Sequence, residues 1–157
     1  MLKSGADCAG LEEQSPRDSG PRARIPSSRL LHVPILVVED DPDGRDLLVE
    51  ILSREGASVS AASDVAEALE TLARVRTAII VSDIGLPDED GYAFIKRLRA
   101  QEAQGALRIP AIALTAFQRP EDRRRALEAG FDAHLSKPLR TGELFSTIAT
   151  LLATGST

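Results

Sequence analysis

The chain has 157 residues, 43% of them hydrophobic, 27% charged and only 3% aromatic, with a formal net charge of −5. That length supports one domain with a core of Leu, Ile, Val and Ala, and the composition excludes a collagenous or globally disordered chain. The acidic balance weighs against a nucleic-acid binder, the single cysteine, Cys8, excludes an intrachain disulfide, and no apolar run approaches the roughly 18 residues of a membrane span.

The N-terminus lacks the apolar block of a signal peptide, so a soluble, cytoplasmic protein is expected. Residues 1–32 hold six Gly or Pro and five Ser, with no hydrophobic period. Such a segment buries too little to offset its ordering entropy. It is expected to be a flexible tail, with Leu30 and Leu31 beginning to dock.

From Pro34 the pattern turns regular, and a single domain over 33–153 is expected, followed by a short tail at 154–157. Five short apolar runs alternate with amphipathic stretches. The first run is Ile35-Leu36-Val37-Val38. Asp41 can cap the helix that follows, with Pro42 in its first turn. Leu47, Leu48, Ile51 and Leu52 form its stripe, and Gly56 stops it. The run Ser58-Val59-Ser60-Ala61 leads to a helix carrying Val65, Ala68, Leu69 and Leu72. The run Ala78-Ile79-Ile80-Val81 leads to a helix starting after Asp90 that buries Phe94, Ile95 and Leu98. Ile109 to Leu114 is the fourth run, and a helix from Pro120 to Ala129 follows, ending at Gly130. Ala133-His134-Leu135 is the fifth run. The last helix begins near Thr141, runs to about Ala153, and buries Leu144, Phe145, Ile148, Leu151 and Leu152.

Three of the runs are continuously apolar, as strands buried on both faces should be. Five strand–helix units imply an α/β fold with a parallel sheet and helices on both faces. Right-handed crossovers leave few topologies, and a flavodoxin-like (βα)5 fold with strand order 2-1-3-4-5 is predicted. In that order the first and third strands are neighbours at the switch point, where ligands bind beyond the carboxyl ends of the strands.

Four strand ends then share one crevice. They carry Glu39-Asp40-Asp41, Ser82-Asp83, Thr115 and Ser136-Lys137-Pro138. Carboxylates packed this closely repel one another. A divalent cation relieves the repulsion, and oxygen ligands without His or Cys favour magnesium or manganese over zinc. An attacking aspartate in such a crevice forms an acyl phosphate. Asp83, on the central strand, is the candidate, with Lys137 and the Thr115 hydroxyl placed to hold phosphoryl oxygens. Each residue also has a plainer reading as a turn former, a structural threonine or a solvated lysine. Asp41 fits the plain reading, as a helix cap. Four strand ends with complementary chemistry make it a poor account of the set.

Residues 34–153 resemble the receiver domain of two-component response regulators over its whole length. The stretch Ile35 to Asp41 resembles that family's first strand and acidic pair, and Asp83-Ile84-Gly85-Leu86-Pro87-Asp88-Glu89-Asp90-Gly91 its phosphoacceptor loop. Ala113-Leu114-Thr115-Ala116 and Ser136-Lys137-Pro138 complete the set. The resemblance implies that Asp83 takes a phosphoryl group from a phosphohistidine. It makes Asp40 a direct Mg2+ ligand, Glu39 a helper often acting through water, and the Gly85 carbonyl the third protein ligand. Thr115 becomes the switch hydroxyl and Lys137 the phosphate-pairing lysine, with a cis Lys137-Pro138 bond. The implied partners are a histidine kinase or histidine phosphotransfer protein and a downstream protein target, with no nucleic acid and no membrane. A homodimer through the fourth helix, fifth strand and fifth helix is compatible with the pattern. The implied role is signalling rather than turnover of a separate substrate, with self-phosphorylation and self-dephosphorylation at most.

Some positions depart from the family pattern. Glu39 stands where Asp is commoner. His134 stands where the family has Tyr or Phe, and is read either as a rotameric switch, pH-sensitive if so, or as a half-exposed strand residue without a signalling role. Gly85 opens the path of the hydrolytic water, whereas Phe117 could block it. The cluster Arg119, Arg123, Arg124, Arg125 is interleaved with Glu121, Asp122 and Glu128, and reads as an exposed charged helix face. The short stretch after the last helix leads to the expectation of a receiver without an output module. The start at Met1 and the short tail favour a stand-alone receiver over one detached from a hybrid kinase. Outside the family, a haloacid-dehalogenase-type phosphohydrolase shares the Asp, Thr and Lys, and Asp41-Pro42-Asp43 supplies its D-x-D spacing. That class puts its nucleophile after the first strand and needs a further acidic pair after the fourth. A flavin-binding domain would need a phosphate loop where Glu39-Asp40-Asp41 would repel phosphate.

Overall fold

A computed structural model of the chain describes residues 30–86, 90–116 and 119–155. Ten elements alternate in chain order: β1 (Pro34–Val38), α1 (Pro42–Arg54), β2 (Ser58–Ala62), α2 (Val65–Arg74), β3 (Ile79–Asp83), α3 (Gly91–Glu102), β4 (Ala111–Thr115), α4 (Pro120–Ala129), β5 (Ala133–Ser136) and α5 (Thr141–Gly155). All strands pair in parallel, in the order β2-β1-β3-β4-β5. This is the flavodoxin-like (βα)5 architecture expected from the alternation.

The apolar strands serve two cores at once, because successive side chains point to opposite faces. Ile35, Val37, Ile79, Val81, Ile112 and Leu114 face one layer with Leu48 and Leu52 of α1 and Leu144 and Ile148 of α5. Leu36, Val38, Ile80, Ala111 and Ala113 face the other, with Phe94, Ile95 and Leu98 of α3 and Ala126 and Ala129 of α4. A one-residue slip would exchange the two sets, so the register is strongly specified.

Local chemistry sets the helix ends. The Asp41 carboxylate accepts the Gly44 N–H at 3.0 Å and Asp90 accepts that of Ala93 at 2.9 Å. Asp64 accepts the Glu67 N–H at 2.8 Å, and Glu67 accepts in return from the Ser63 N–H and hydroxyl at 2.7 and 2.9 Å, a reciprocal arrangement that satisfies orphan donors. Gly56 and Gly130 end α1 and α4 at φ +92° and +130°, where a side chain would be strained.

Four sequence expectations need correction. Leu47 belongs to the predicted stripe of α1 but is 56% exposed, while Leu48 and Leu52 are buried. The core lies under the 48/52 line, and Leu47 is rotated about 100° away from it. β4 starts at Ala111, not Ile109: Pro110 has no N–H to give a ladder, and the Ile109 N–H bonds the Glu102 carboxylate instead at 2.8 Å. α5 runs on to Gly155, past Ala153 and into the expected tail; Leu144 and Ile148 are buried, with Phe145, Leu151 and Leu152 only partly so. At the other end Leu30 docks as expected, 2% exposed against the α1/α5 layer, whereas Leu31, expected to dock beside it, is 48% exposed. Residues 1–29, the remainder of that tail, lie outside the described residues. Among the described residues no helix is long and apolar enough to cross a membrane.

Candidate functional site

The registers bring the strand ends to one edge. Val38 pairs with Ser82, Asp83 with Leu114, and Thr115 with Ser136. One residue further along the chain, β1 delivers Glu39 and β5 delivers Lys137. The crevice predicted from the strand order is therefore formed by the residues predicted for it.

Lys137 is its centre. Its Nζ donates to Glu39 Oε1 at 3.0 Å and to Asp83 Oδ2 at 3.1 Å. The Glu39 side chain is 2% exposed and that of Asp83 13%. Glu39, Asp40 and Asp83 each offer a carboxylate oxygen, and the three oxygens lie within 4.8 Å of one another. Asp40 is the exposed member.

Three close carboxylates and one ammonium cannot all be comfortable when ionised. Burial pushes the Glu39 carboxyl up to about 7, helped by its hydrogen bond to Asp83 and only partly opposed by Lys137. Burial acts on Asp83 in the same sense, but hydrogen bonds from Glu39, the Gly85 N–H and Lys137 outweigh it, so its carboxyl is held below the usual range. Burial alone would lower Lys137, yet its bonds to Glu39 and Asp83 keep the ammonium above its ordinary value. The opposite shifts of the two acids describe one proton shared unequally by a pair. The pair favours the proton on Glu39 over Asp83.

Backbone geometry holds Asp83 in place. The Gly85 N–H donates to Asp83 Oδ1 at 3.0 Å, and the Ser82 hydroxyl donates to the Asp83 carbonyl at 3.0 Å. The Ile84 N–H reaches the Leu114 carbonyl at 3.0 Å, and the Lys137 N–H reaches that of Thr115 at 2.8 Å. The Thr115 side chain is buried beside them, 4% exposed. The Lys137-Pro138 bond is cis, as the resemblance implied. The crevice fits a hard divalent cation by donor chemistry, since it offers carboxylate oxygens and neither sulfur nor imidazole.

Three features escaped the sequence reading. Gly91 is required: a Cβ there would stand 2.8 Å from the Asp83 carbonyl oxygen and the Ile84 Cα. The sequence shows a glycine after a capping Asp90, but not that the Asp83 backbone passes over it. Gly85, by contrast, has room, because its nearest neighbour would be Asp83 Oδ1 at 4.0 Å. The second feature is a cavity of about 370 Å³ lined by Asp83, Thr115 and Lys137 and also by Tyr92, Arg119, Asp122 and Arg125. The arginine cluster is thus not only a solvated face. The Arg125 guanidinium lies 4.3 Å from the centre of the Tyr92 ring, tying α4 to α3 across this cavity. The third is a groove on the opposite side, where Leu47, Leu48, Ile51, Pro138 and Leu139 adjoin Glu39 and Lys137.

His134 stands apart from Asp83. It is half-buried and lines a neighbouring cavity with Arg119, Arg123, Leu127 and Ser136. Its Nε2 is buried and, among the described residues, has no hydrogen-bond partner. Burial, then Arg123, lower its basicity. Asp41 spends its carboxylate as the cap of α1, which removes it as the nucleophile of a D-x-D motif. Phe117 and residues 87–89 of the Asp83 loop lie outside the described residues.

The doubly wound parallel sheet places an acidic cluster and one lysine at its switch point, where ligands of this class of fold bind. The sequence pattern of the response regulator receiver domain matches residues 35–149, and the chain belongs to that family. The chain is 47% identical over 115 residues to an uncharacterized 14.6 kDa protein of Leptolyngbya boryana, covering 73% of this chain and 86% of that one. It is 37% identical over 115 residues to the sensor histidine kinase RcsC of Salmonella typhi, covering 73% of this chain and 12% of the kinase. Among solved structures, the receiver domain of the Francisella response regulator 1452 superposes with a TM-score of 0.71 at 27% identity, covering 80% of this chain and all of that one. The chain thus spans a small part of some relatives and nearly all of others.

Proposed function

We propose that this receiver accepts a phosphoryl group on Asp83 from the phosphohistidine of a histidine kinase or phosphotransfer protein, and thereby changes its affinity for a downstream protein. The observation that carries this reading is the placement of Asp83 at the end of the central strand: its Oδ2 accepts from Lys137 at 3.1 Å, it offers an oxygen within 4.8 Å of those of Glu39 and Asp40, and its carboxyl is the one of the pair held low. A nucleophile for phosphorus must be unprotonated.

Glu39, Asp40, Asp83 and the Gly85 carbonyl would hold Mg2+. When bound, the ion neutralises charge on the phosphoryl oxygens. Lys137 pairs with a second oxygen, in place of its present bond to Asp83. The Thr115 hydroxyl, on the last residue of β4, donates to a third. The groove of Leu47, Leu48 and Ile51 beside Lys137 supports docking of the donor protein by an apolar helix face. On the output side His134 acts as the switch residue, because a buried imidazole nitrogen without a partner gains from rotating toward one. His134→Ala then keeps phosphoryl uptake but loses phosphorylation-dependent partner binding; binding that survives the change removes this role.

The direct test is incubation with acetyl phosphate and Mg2+, read by intact mass. The wild-type chain gains one phosphoryl group. Asp83→Asn lowers uptake at least about 100-fold, as loss of a nucleophile should. Uptake by Asp83→Asn at the wild-type rate refutes the assignment.

A further inference from the structure

We propose that Arg125 is a positioning residue for phosphoryl transfer from small acyl phosphates, holding the carboxylate that departs as Asp83 takes the phosphoryl group. The proposal rests on Asp83 being the phosphoacceptor.

The cavity is larger than the transferred group. A phosphoryl group has four heavy atoms, and even with a whole liquid water's roughly 30 Å³ allowed for each it occupies less than about 120 Å³. The cavity beside Asp83 is about 370 Å³. The remainder admits a small leaving group. Exposure gives the cavity a direction: Thr115 and the Asp83 side chain are 4% and 13% exposed at its floor, and the Arg119 side chain is 65% exposed at its mouth, where Arg125 is exposed too. In-line displacement places the leaving group opposite the attacking oxygen, hence toward that mouth.

The mouth carries three charges with different availability. Arg119 Nε donates to Asp122 Oδ2 at 3.2 Å, so these two largely offset each other. Arg125 supplies the remaining positive charge. Its guanidinium rests over the Tyr92 ring, which fixes its plane while leaving its N–H edge able to donate. Such a fork matches a carboxylate.

The step balances without a proton. The Asp83 carboxylate oxygen forms a bond to phosphorus, the bond from phosphorus to the acyl oxygen breaks, and the electron pair leaves as a carboxylate. Negative charge therefore builds on the leaving oxygens during the reaction, where Arg125 stabilises it more than in the ground state. Phosphoramidate offers the contrast, because its leaving group departs as neutral ammonia.

The test compares the rates of phosphoryl uptake from acetyl phosphate and from phosphoramidate, with Mg2+, by intact mass of the full chain. In Arg125→Ala the acetyl phosphate to phosphoramidate ratio falls about fivefold, the effect of one partly exposed ionic contact. Arg125→Lys restores only part of it, as a charge without the fork should. Arg123→Ala, at a residue outside this cavity, leaves the ratio at the wild-type value. A ratio unchanged in Arg125→Ala overturns the proposal, as does an equal fall in Arg123→Ala, which would indicate a general field. Wild-type chain that takes up nothing from either donor overturns the phosphoacceptor reading itself; uptake with an unchanged ratio overturns only the role of Arg125.

Discussion

Among the described residues, two charge clusters at opposite edges of one sheet are built on opposite terms. At the amino ends of the strands, Arg99 of α3 donates to the Gly130 carbonyl at 2.9 Å, the Ile109 carbonyl at 2.7 Å, Glu102 Oε1 at 2.6 Å and Asp132 Oδ2 at 3.1 Å. Asp132 also accepts from Arg108 at 2.6 Å and from the Ala111 N–H at 2.8 Å. Two cations meet two anions, and backbone groups use the remaining bonding capacity. At the carboxyl ends, one ammonium serves two buried carboxyls with a third acid nearby. The first cluster is satisfied and holds α3, β4 and the α4–β5 turn together. The second is left short of positive charge, a deficit that the proposed Mg2+ would offset. Ion clusters of similar composition can therefore be told apart by whether their charges close.

The largest effect that separates them is on stability. Arg99→Ala removes the cation shared by the Glu102 and Asp132 carboxylates, whose side chains are 7% and 18% exposed, and leaves Glu102 with the Ile109 N–H and Asp132 with Arg108 and the Ala111 N–H. The expected cost is about 3 kcal/mol in a urea titration, the lower end for breaking a buried pair because some solvent reaches the site. Arg108→Ala, at a partner 55% exposed, costs under about 1 kcal/mol. Phosphoryl uptake on Asp83 should persist in both. Equal costs for the two arginines, or loss of uptake with the fold intact, would break the division between a structural and a reactive cluster.

A smaller effect comes from Glu39 and depends on pH. With metal chelated, the folded state holds the Glu39 proton up to about pH 7, against an ordinary value of 4.5. Its stabilising contribution is complete below pH 4.5 and declines as the pH rises toward 7, because the folded state binds more protons than the unfolded one across that window. Asp83 is shifted downward and acts only below its ordinary 3.8. His134, held below its ordinary 6.5, has the opposite slope, with stability falling as the pH drops through its folded value. Subtracting the urea stability profile of Glu39→Gln from that of the wild type isolates the Glu39 slope. A flat difference between pH 4.5 and 7 would place the shared proton elsewhere.

The lower cluster also shows why the sequence reading was uneven. Arg99 reaches partners 31 and 33 positions away, Gly130 and Asp132. No local pattern marks such a set, and single Arg, Glu and Asp residues near loops read as solvated. The upper cluster was legible because each member sits at a strand end, and strand ends can be placed once the alternation is seen. Leu47 failed for a related reason: a stripe of four leucine and isoleucine positions is wider than the contact its helix makes.

The sequence by itself determined the alternation of strands and helices, the cap at Asp41, the helix start after Asp90, and the residues delivered to the switch point. Hydrophobic period and capping are short-range, so they can be read within a few residues. Only the tertiary structure decided which buried carboxyl keeps the proton, why Gly91 must lack a side chain, and that Arg125 shares a cavity with Asp83. Each of these depends on burial or on close approach between segments far apart in the chain, which side-chain identity and spacing do not encode.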